Sequence, residues 1–198
     1  RAAERRPKAR CISGKLTGAP PAARPETEYA ATMTMMTADI CDAFGDEVRV
    51  ADAIFRQYGQ QRRFHGPVCT LRVFEDNTRL RELLATAGLG RVLVVDGGGS
   101  RACALLGGNL AQMAYDNGWV GIVVNGCVRD RAEIDALALG VLALQTMPRK
   151  SRKGGRGDAE VTLRVAGIDI CPGDFAYVDE DGFVVAARDL GRARAEGA

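Results

Sequence analysis

Two short stretches carry residue types that could do chemistry together. Gly107-Gly108-Asn109-Leu110 stands where a helix begins, and Arg129-Asp130 follows further along the chain, with Glu133 one turn beyond. A helix start offers backbone N–H groups with no intrahelical acceptor, and the helix dipole favours an anion there, so residues 107–110 could hold a carboxylate. The planar guanidinium of Arg129 can fork onto a carboxylate or a keto oxygen, and Asp130 is a hard oxygen donor of the kind Mg²⁺ takes. Spacing alone leaves a plainer reading open, in which Arg129 and Asp130 are a surface ion pair and helix cap.

Other stretches carry weaker signals. Gly97-Gly98-Gly99-Ser100-Arg101-Ala102 has the spacing of a dinucleotide fingerprint. Its context is wrong, because no helix opens at the loop and the next strand ends in Asn125 rather than an acid. A loop that lets two backbones approach fits equally well. The single histidine, His65, excludes a zinc site built on two histidines and makes any Ser-His-Asp or Cys-His hydrolase depend on one strand residue. The acidic run from Gly173 to Gly182 lacks the ligand spacing of an EF-hand and reads as two solvated turns around a short strand. Arg149, Lys150, Arg152, Lys153 and Arg156 make a basic loop, read as solvated, with phosphate, RNA or protein binding as the alternative.

The elements that must position these residues follow from period and punctuation. Thr37 caps a short helix ended by Gly45, and the β-branched and aromatic run 63–75 predicts a strand. Asn77 caps a helix whose Leu80, Leu83 and Leu84 share one face. Residues 91–96 are almost continuously apolar, as a strand buried on both faces must be. A helix over 109–117, a strand over 119–125, a turn at 126–129, a helix over 130–139 and a strand over 141–146 complete an alternating β-α-β-α-β pattern. That pattern predicts a mainly parallel central sheet. After the basic loop the chain turns to antiparallel strands and hairpins.

The chain has 198 residues, 46% of them hydrophobic, which is enough for one core. Its net charge of +2 does not announce nucleic acid or an acidic membrane as a direct partner. Residues 1–30 hold four of the seven prolines and show no apolar period, and they read as a basic, disordered or extended arm. The domain is expected over 31–190 and a frayed tail over 191–198. No apolar run has the length of a secretion signal or a membrane span, and the six cysteines form no Cys-x-x-Cys pair. Reduced thiols in a cytoplasmic protein are expected.

Taken in order, TADICDAFGDEVRV, FEDN, GRVLVVDGGGSRACALLGGNLAQMAYDNGW, GCVRD, PRKS and GDFAYVDEDG closely resemble the regulator of ribonuclease activity A (RraA-like) family. That family includes the 4-hydroxy-4-methyl-2-oxoglutarate aldolases. The likeness runs from Thr37 to Ala187. It implies a single compact α/β domain of the swivelling β/β/α type, assembled as homotrimeric rings or hexamers with sites between subunits. The aldolase members are class II, divalent-metal enzymes. They release pyruvate from 4-hydroxy-4-methyl-2-oxoglutarate or 4-carboxy-4-hydroxy-2-oxoadipate, and they decarboxylate oxaloacetate through the same pyruvate enolate.

Carried over, Gly107, Gly108, Asn109 and Leu110 would bind the carboxylate of a small 2-oxo acid through backbone amides. Arg129 would hold the keto oxygen and stabilise the enolate, and Asp130 would bind the metal, Mg²⁺ or alternatively Mn²⁺. Two departures stand out. Aldolase members often carry an acid near the position of Gly108, and they draw another from a neighbour's C-terminal helix, for which Glu196 is a poor match. The enolate half of the site, which suffices for oxaloacetate, is thus more complete than the half that serves bulkier substrates. The resemblance also implies an alternative, a non-catalytic regulator that binds ribonuclease E. Regulator members can lack the acid after the arginine, so Asp130 favours an enzyme. A menaquinone-pathway methyltransferase finds no support in the context of the glycine loop.

Overall fold

The computed structural model describes residues 35–191, so the arm over 1–30 and nearly all of the expected tail lie outside the described residues. In chain order come α1 (Thr37–Phe44), β1 (Val48–Val50), β2 (Arg56–Tyr58), β3 (Phe64–Arg72), α2 (Thr78–Leu84), β4 (Val92–Asp96), β5 (Ala104–Leu106), α3 (Gly108–Asp116), β6 (Gly121–Val128), α4 (Arg131–Asp135) and β7 (Gly140–Thr146). The chain continues with β8 (Asp158–Ala159), β9 (Leu163–Val165), β10 (Ile168–Ile170), β11 (Phe175–Val178) and β12 (Phe183–Ala186).

Ten strands form one mixed sheet in the order β1-β12-β11-β3-β4-β6-β7-β2, with β5 beside β6 and β8 beside β3. The expected parallel centre is β3, β4, β6 and β7. The expected antiparallel C-terminal portion, β11 and β12, joins it through β3, whose first half pairs β11 and whose second half pairs β4. Leu93, Val95, Ile122 and Val124 face Leu80, Leu84, Leu110, Ala111 and Ile134 of the helices. Val92, Val94 and Val123 face the other way, onto the β9–β10 hairpin through Leu163, Val165, Ile168 and Ile170. Cover on both faces explains why the strand runs show no polar alternation. Each such side chain contributes about 1.5–3 kcal/mol by leaving water.

Several local expectations are corrected by long-range contacts. β6 runs on through Gly126 to Val128, where a turn was expected, because Cys127 and Val128 keep pairing with β7 and with β5. α4 ends at Asp135, well before Leu139. Its last groups are diverted, with Asp135 Oδ1 accepting from Gly59 N–H at 3.0 Å and Leu137 O from Gln60 N–H at 2.9 Å. The start of α2 is held by Asp76, which accepts from Thr78 N–H at 2.8 Å, while Asn77 donates to Leu105 O instead.

Of the four acids of the 173–182 stretch, Glu180 and Asp181 are solvated as expected, but Asp174 and Asp179 are only 7% and 4% exposed. Asp174 accepts from Arg49 at 2.8 Å, and Asp179 accepts from the Thr37 N–H and hydroxyl at 2.6 and 2.7 Å, so Thr37 fastens α1 to the sheet rather than capping it. Cys41, Cys69, Cys103 and Cys127 are free thiols, and burial, ahead of the bond to Glu160, pushes Cys69 up to about 12. Cys171 is disulfide-bonded, against the expectation that all six would be reduced.

Candidate functional site

The two stretches singled out by residue type come together because β5 and β6 run parallel and end side by side. Arg129 N–H donates to Leu106 O at 2.9 Å, which sets Arg129 beside Gly107. Gly107 is the extended residue before α3, and Asp130 holds the same place before α4, so both stretches lie where strands hand over to helices. That edge of a parallel sheet is where ligand sites form.

Asp130 adopts a left-handed backbone, φ +56° and ψ +45°, a conformation costing about 1 kcal/mol for a residue with a Cβ and one that Asp tolerates better than most. Its carbonyl starts α4 by accepting from Glu133 and Ile134 N–H at 3.0 and 3.1 Å. Its carboxylate, however, does not cap α4. Oδ2 reaches the neighbouring helix, accepting from Gly108 N–H at 3.2 Å, and lies 3.3 Å from Arg129 Nε. A surface pair with a self-capping acid would not do this. The Arg129 and Asp130 side chains keep 39% and 36% of their surface open to solvent.

The glycine pair is what permits the approach. A Cβ on Gly107 would stand 2.7 Å from Asp130 Oδ2 and 3.2 Å from Arg129 Nε. On Gly108 it would stand 2.7 Å from Glu133 Cδ and collide with that residue's Oε2. Of the amides expected to bind a carboxylate, that of Gly108 is engaged by Asp130. Leu110 N–H donates to Gly107 O at 3.0 Å, and the Leu110 side chain, 4% exposed, anchors the turn in the core. Neither Gly107 nor Asn109 donates its N–H to an acceptor among the described residues, and Asn109 is exposed, so these amides are left for a ligand.

Among the described residues no group of three or more His, Cys, Asp or Glu side chains could hold a metal ion. The donor expected at this site is the carboxylate of Asp130, whose Oδ1 carries no hydrogen bond among the described residues, with the Glu133 carboxylate beside it over Gly108. A hard cation that keeps several waters and takes substrate oxygens fits such a donor, whereas Zn²⁺, wanting three or four protein ligands, does not.

The remaining candidates serve the architecture. The loop after β4 leads into β5, not into a helix, and is pinned where Asp96 accepts from Gly98 N–H at 2.9 Å and from Asn125 at 3.0 Å. It therefore offers no helix N-terminus for a pyrophosphate. The basic loop is strapped down. Glu75 O accepts from Arg152 N–H, and Arg149 O from Ala104 N–H, both at 2.8 Å, while buried Asp76 accepts from Gly154 N–H. His65 stacks on Tyr177 with ring centroids 6.1 Å apart, and burial holds its pKa below the usual value. Sequence reading missed β5, whose only signal is the apolar triplet Ala104-Leu105-Leu106, and it missed the meeting of Glu133 with Gly108.

A family description, RraA-like: Aldolase/RraA, matches residues 37–185. A protein of Alkalilimnicola ehrlichii, provisionally named 4-hydroxy-4-methyl-2-oxoglutarate aldolase, is 56% identical over 158 residues, covering 80% of this chain and 98% of its own length. A solved structure from Geobacillus kaustophilus, described as an S-adenosylmethionine:2-dimethylmenaquinone methyltransferase, is 51% identical with a TM-score of 0.77. It covers 79% of this chain and 97% of its own. Another, described as the RNA-processing inhibitor RraA from Thermus thermophilis, is 46% identical with a TM-score of 0.76, covering 79% and 94%. No helix among the described residues is long and apolar enough to cross a membrane.

Proposed function

Since the chain belongs to the RraA-like family, we propose that it is a carbon–carbon lyase that releases pyruvate from 4-hydroxy-4-methyl-2-oxoglutarate or 4-carboxy-4-hydroxy-2-oxoadipate and decarboxylates oxaloacetate. The observation that carries this reading is the Arg129–Asp130 pair turned onto the first turn of α3, a cation, an acid and a helix start meeting at one half-open point. The names of relatives at about half identity support an aldolase.

The 2-oxo acid carboxylate lies at the first turn of α3, between Gly107 and Leu110, with the Asn109 N–H donating to it and the dipole of α3 favouring its charge. Arg129 is held through Nε by Asp130, which leaves its terminal nitrogens to donate to the keto oxygen at C2. When the bond beyond C3 breaks, its electron pair moves into the enolate and negative charge collects on that oxygen. A guanidinium already in place stabilises this charge more in the transition state than in the substrate. A divalent cation, Mg²⁺ or alternatively Mn²⁺, would be held by Asp130 and would supply Lewis-acid stabilisation of the same charge. The protein works in this reading as a cytoplasmic homotrimer or hexamer.

The test is pyruvate release from oxaloacetate and from 4-hydroxy-4-methyl-2-oxoglutarate, with Mg²⁺ or with EDTA, by wild type and Asp130→Ala. Turnover that requires the cation and falls about 100- to 1000-fold in the variant is expected, the loss typical of one electrostatic group. Turnover of neither substrate would sink the reading. A second reading, a regulator binding ribonuclease E, is favoured by the likeness to the Thermus structure described as an RNA-processing inhibitor. Slowed RNA cleavage by purified ribonuclease E on adding this protein, without any lyase activity, would favour it instead.

A further inference from the structure

The lyase reaction needs a group to take the proton of the C4 hydroxyl, and none of Arg129, Asp130 or the α3 turn is assigned that work. We propose that Glu133 is this group. The inference rests on the lyase reading and on where the structure puts this side chain.

Glu133 belongs to α4, yet its carboxylate lies over the first residue of α3. The space that a side chain on Gly108 would occupy is filled by Glu133, with Cδ 2.7 Å and Cβ 2.9 Å from that position and Oε2 closer still. Gly108 donates its N–H to Asp130, so one glycine is touched by the carboxylates of both residues. Asp130 is tied to Arg129, whereas the Glu133 side chain has no hydrogen bond or ion pair among the described residues. Glu133 is also exposed, so a solute bound at the α3 turn meets its carboxylate directly. An acid beside a helix start gains from the helix dipole, which accounts for its being stable there but not for its lack of a donor.

In the step assigned to it, a Glu133 carboxylate oxygen takes the hydroxyl proton at C4. The O–H pair becomes the second bond of a new C4=O group, and the C3–C4 bond breaks. Its electrons form the C2=C3 bond of the enolate, with charge on the C2 oxygen. Glu133 then releases its proton to water and C3 takes one from water, giving pyruvate and leaving Glu133 as it began; the enolate formed from oxaloacetate is protonated by water in the same way. 4-Hydroxy-4-methyl-2-oxoglutarate thus yields two pyruvates with no oxidant or reductant. Oxaloacetate has no C4 hydroxyl, and the loss of carbon dioxide from it requires no such proton acceptor.

That difference makes the test. Glu133→Gln keeps shape and removes the basic oxygen, and its kcat is to be measured on both substrates beside its thermal unfolding midpoint. A positioned base contributes about 100- to 10000-fold, so cleavage of the hydroxy acid should fall at least 100-fold, with decarboxylation kept within about threefold. Glu133→Asp should recover part of the cleavage. Equal loss on both substrates, or no loss on either, would overturn the assignment, since a merely structural acid cannot separate the two reactions. Wild-type protein inactive on both substrates would instead remove the lyase reading beneath it.

Discussion

At the scale of single residues, the chemistry depends on Arg129 being held rather than merely charged. Its Nε lies 3.3 Å from an Asp130 oxygen that also accepts from Gly108 N–H, so the guanidinium is oriented from one side and open on the other. Lysine would keep the charge and lose the fork. Arg129→Lys is therefore expected to lower kcat/KM for pyruvate release by about 100-fold. Its circular dichroism and melting midpoint should match wild type, because the side chain is 39% exposed. A fall in activity with a matching fall in stability would show that Arg129 works through the fold.

At the scale of elements, one aromatic ring is wedged against the starts of two central strands. Phe64, at the start of β3, fills the space above Gly121 of β6 and Gly140 of β7, where an added Cβ would lie 2.9 and 2.8 Å from its ring Cγ and closer to the ring edge. The two glycines begin neighbouring parallel strands and pair with one another, so a methyl group at either pushes against a buried ring. Gly121→Ala should cost about 1–3 kcal/mol in denaturant unfolding, the range for overpacking a core. Combining it with Phe64→Leu should return part of that loss, and strictly additive losses would show that the ring is not the obstacle. The alternating strands and helices were legible in sequence because both sheet faces are covered and the runs are apolar throughout. The ends of β6 and α4 were not, since partners distant in sequence decide where they stop.

For the whole molecule, three acids tie distant segments together, and they set how it meets low pH. Burial works to raise Asp76, Asp135 and Asp179, but N–H bonds outweigh it and hold each carboxyl below its usual range. These bonds come from Thr78 and Gly154 at Asp76, from Gly59 at Asp135 with help from Arg131, and from Thr37, Asp181 and Gly182 at Asp179. The folded state therefore takes up these protons less readily than the unfolded chain. Their stabilisation is complete above the ordinary carboxylate value near 4 and is lost as pH falls through the lowered folded values. Unfolding free energy measured in urea should decline gently below about pH 6.5, where the unfolded chain protonates His65 more readily than the folded one, and drop steeply below about pH 4. A steady value down to pH 3 would contradict this account.

The sequence by itself determined the parallel β-α-β centre, the antiparallel close and the residue types of the site, because hydrophobic period and helix punctuation are local properties of the chain. It also supplied the family, through Gly107-Gly108-Asn109-Leu110 and Arg129-Asp130 in their setting. Only the tertiary structure decided what those residues touch. The short β5 forms because β6 accepts it, and its pairing brings Gly107 to Arg129. Asp130 turns away from its own helix because a left-handed residue aims its carboxylate at the next one, and Glu133 leans over Gly108 because that position has no side chain. The buried roles of Asp76, Asp174 and Asp179 were likewise hidden, since an acid in a turn looks the same in sequence whether water or a distant N–H satisfies it.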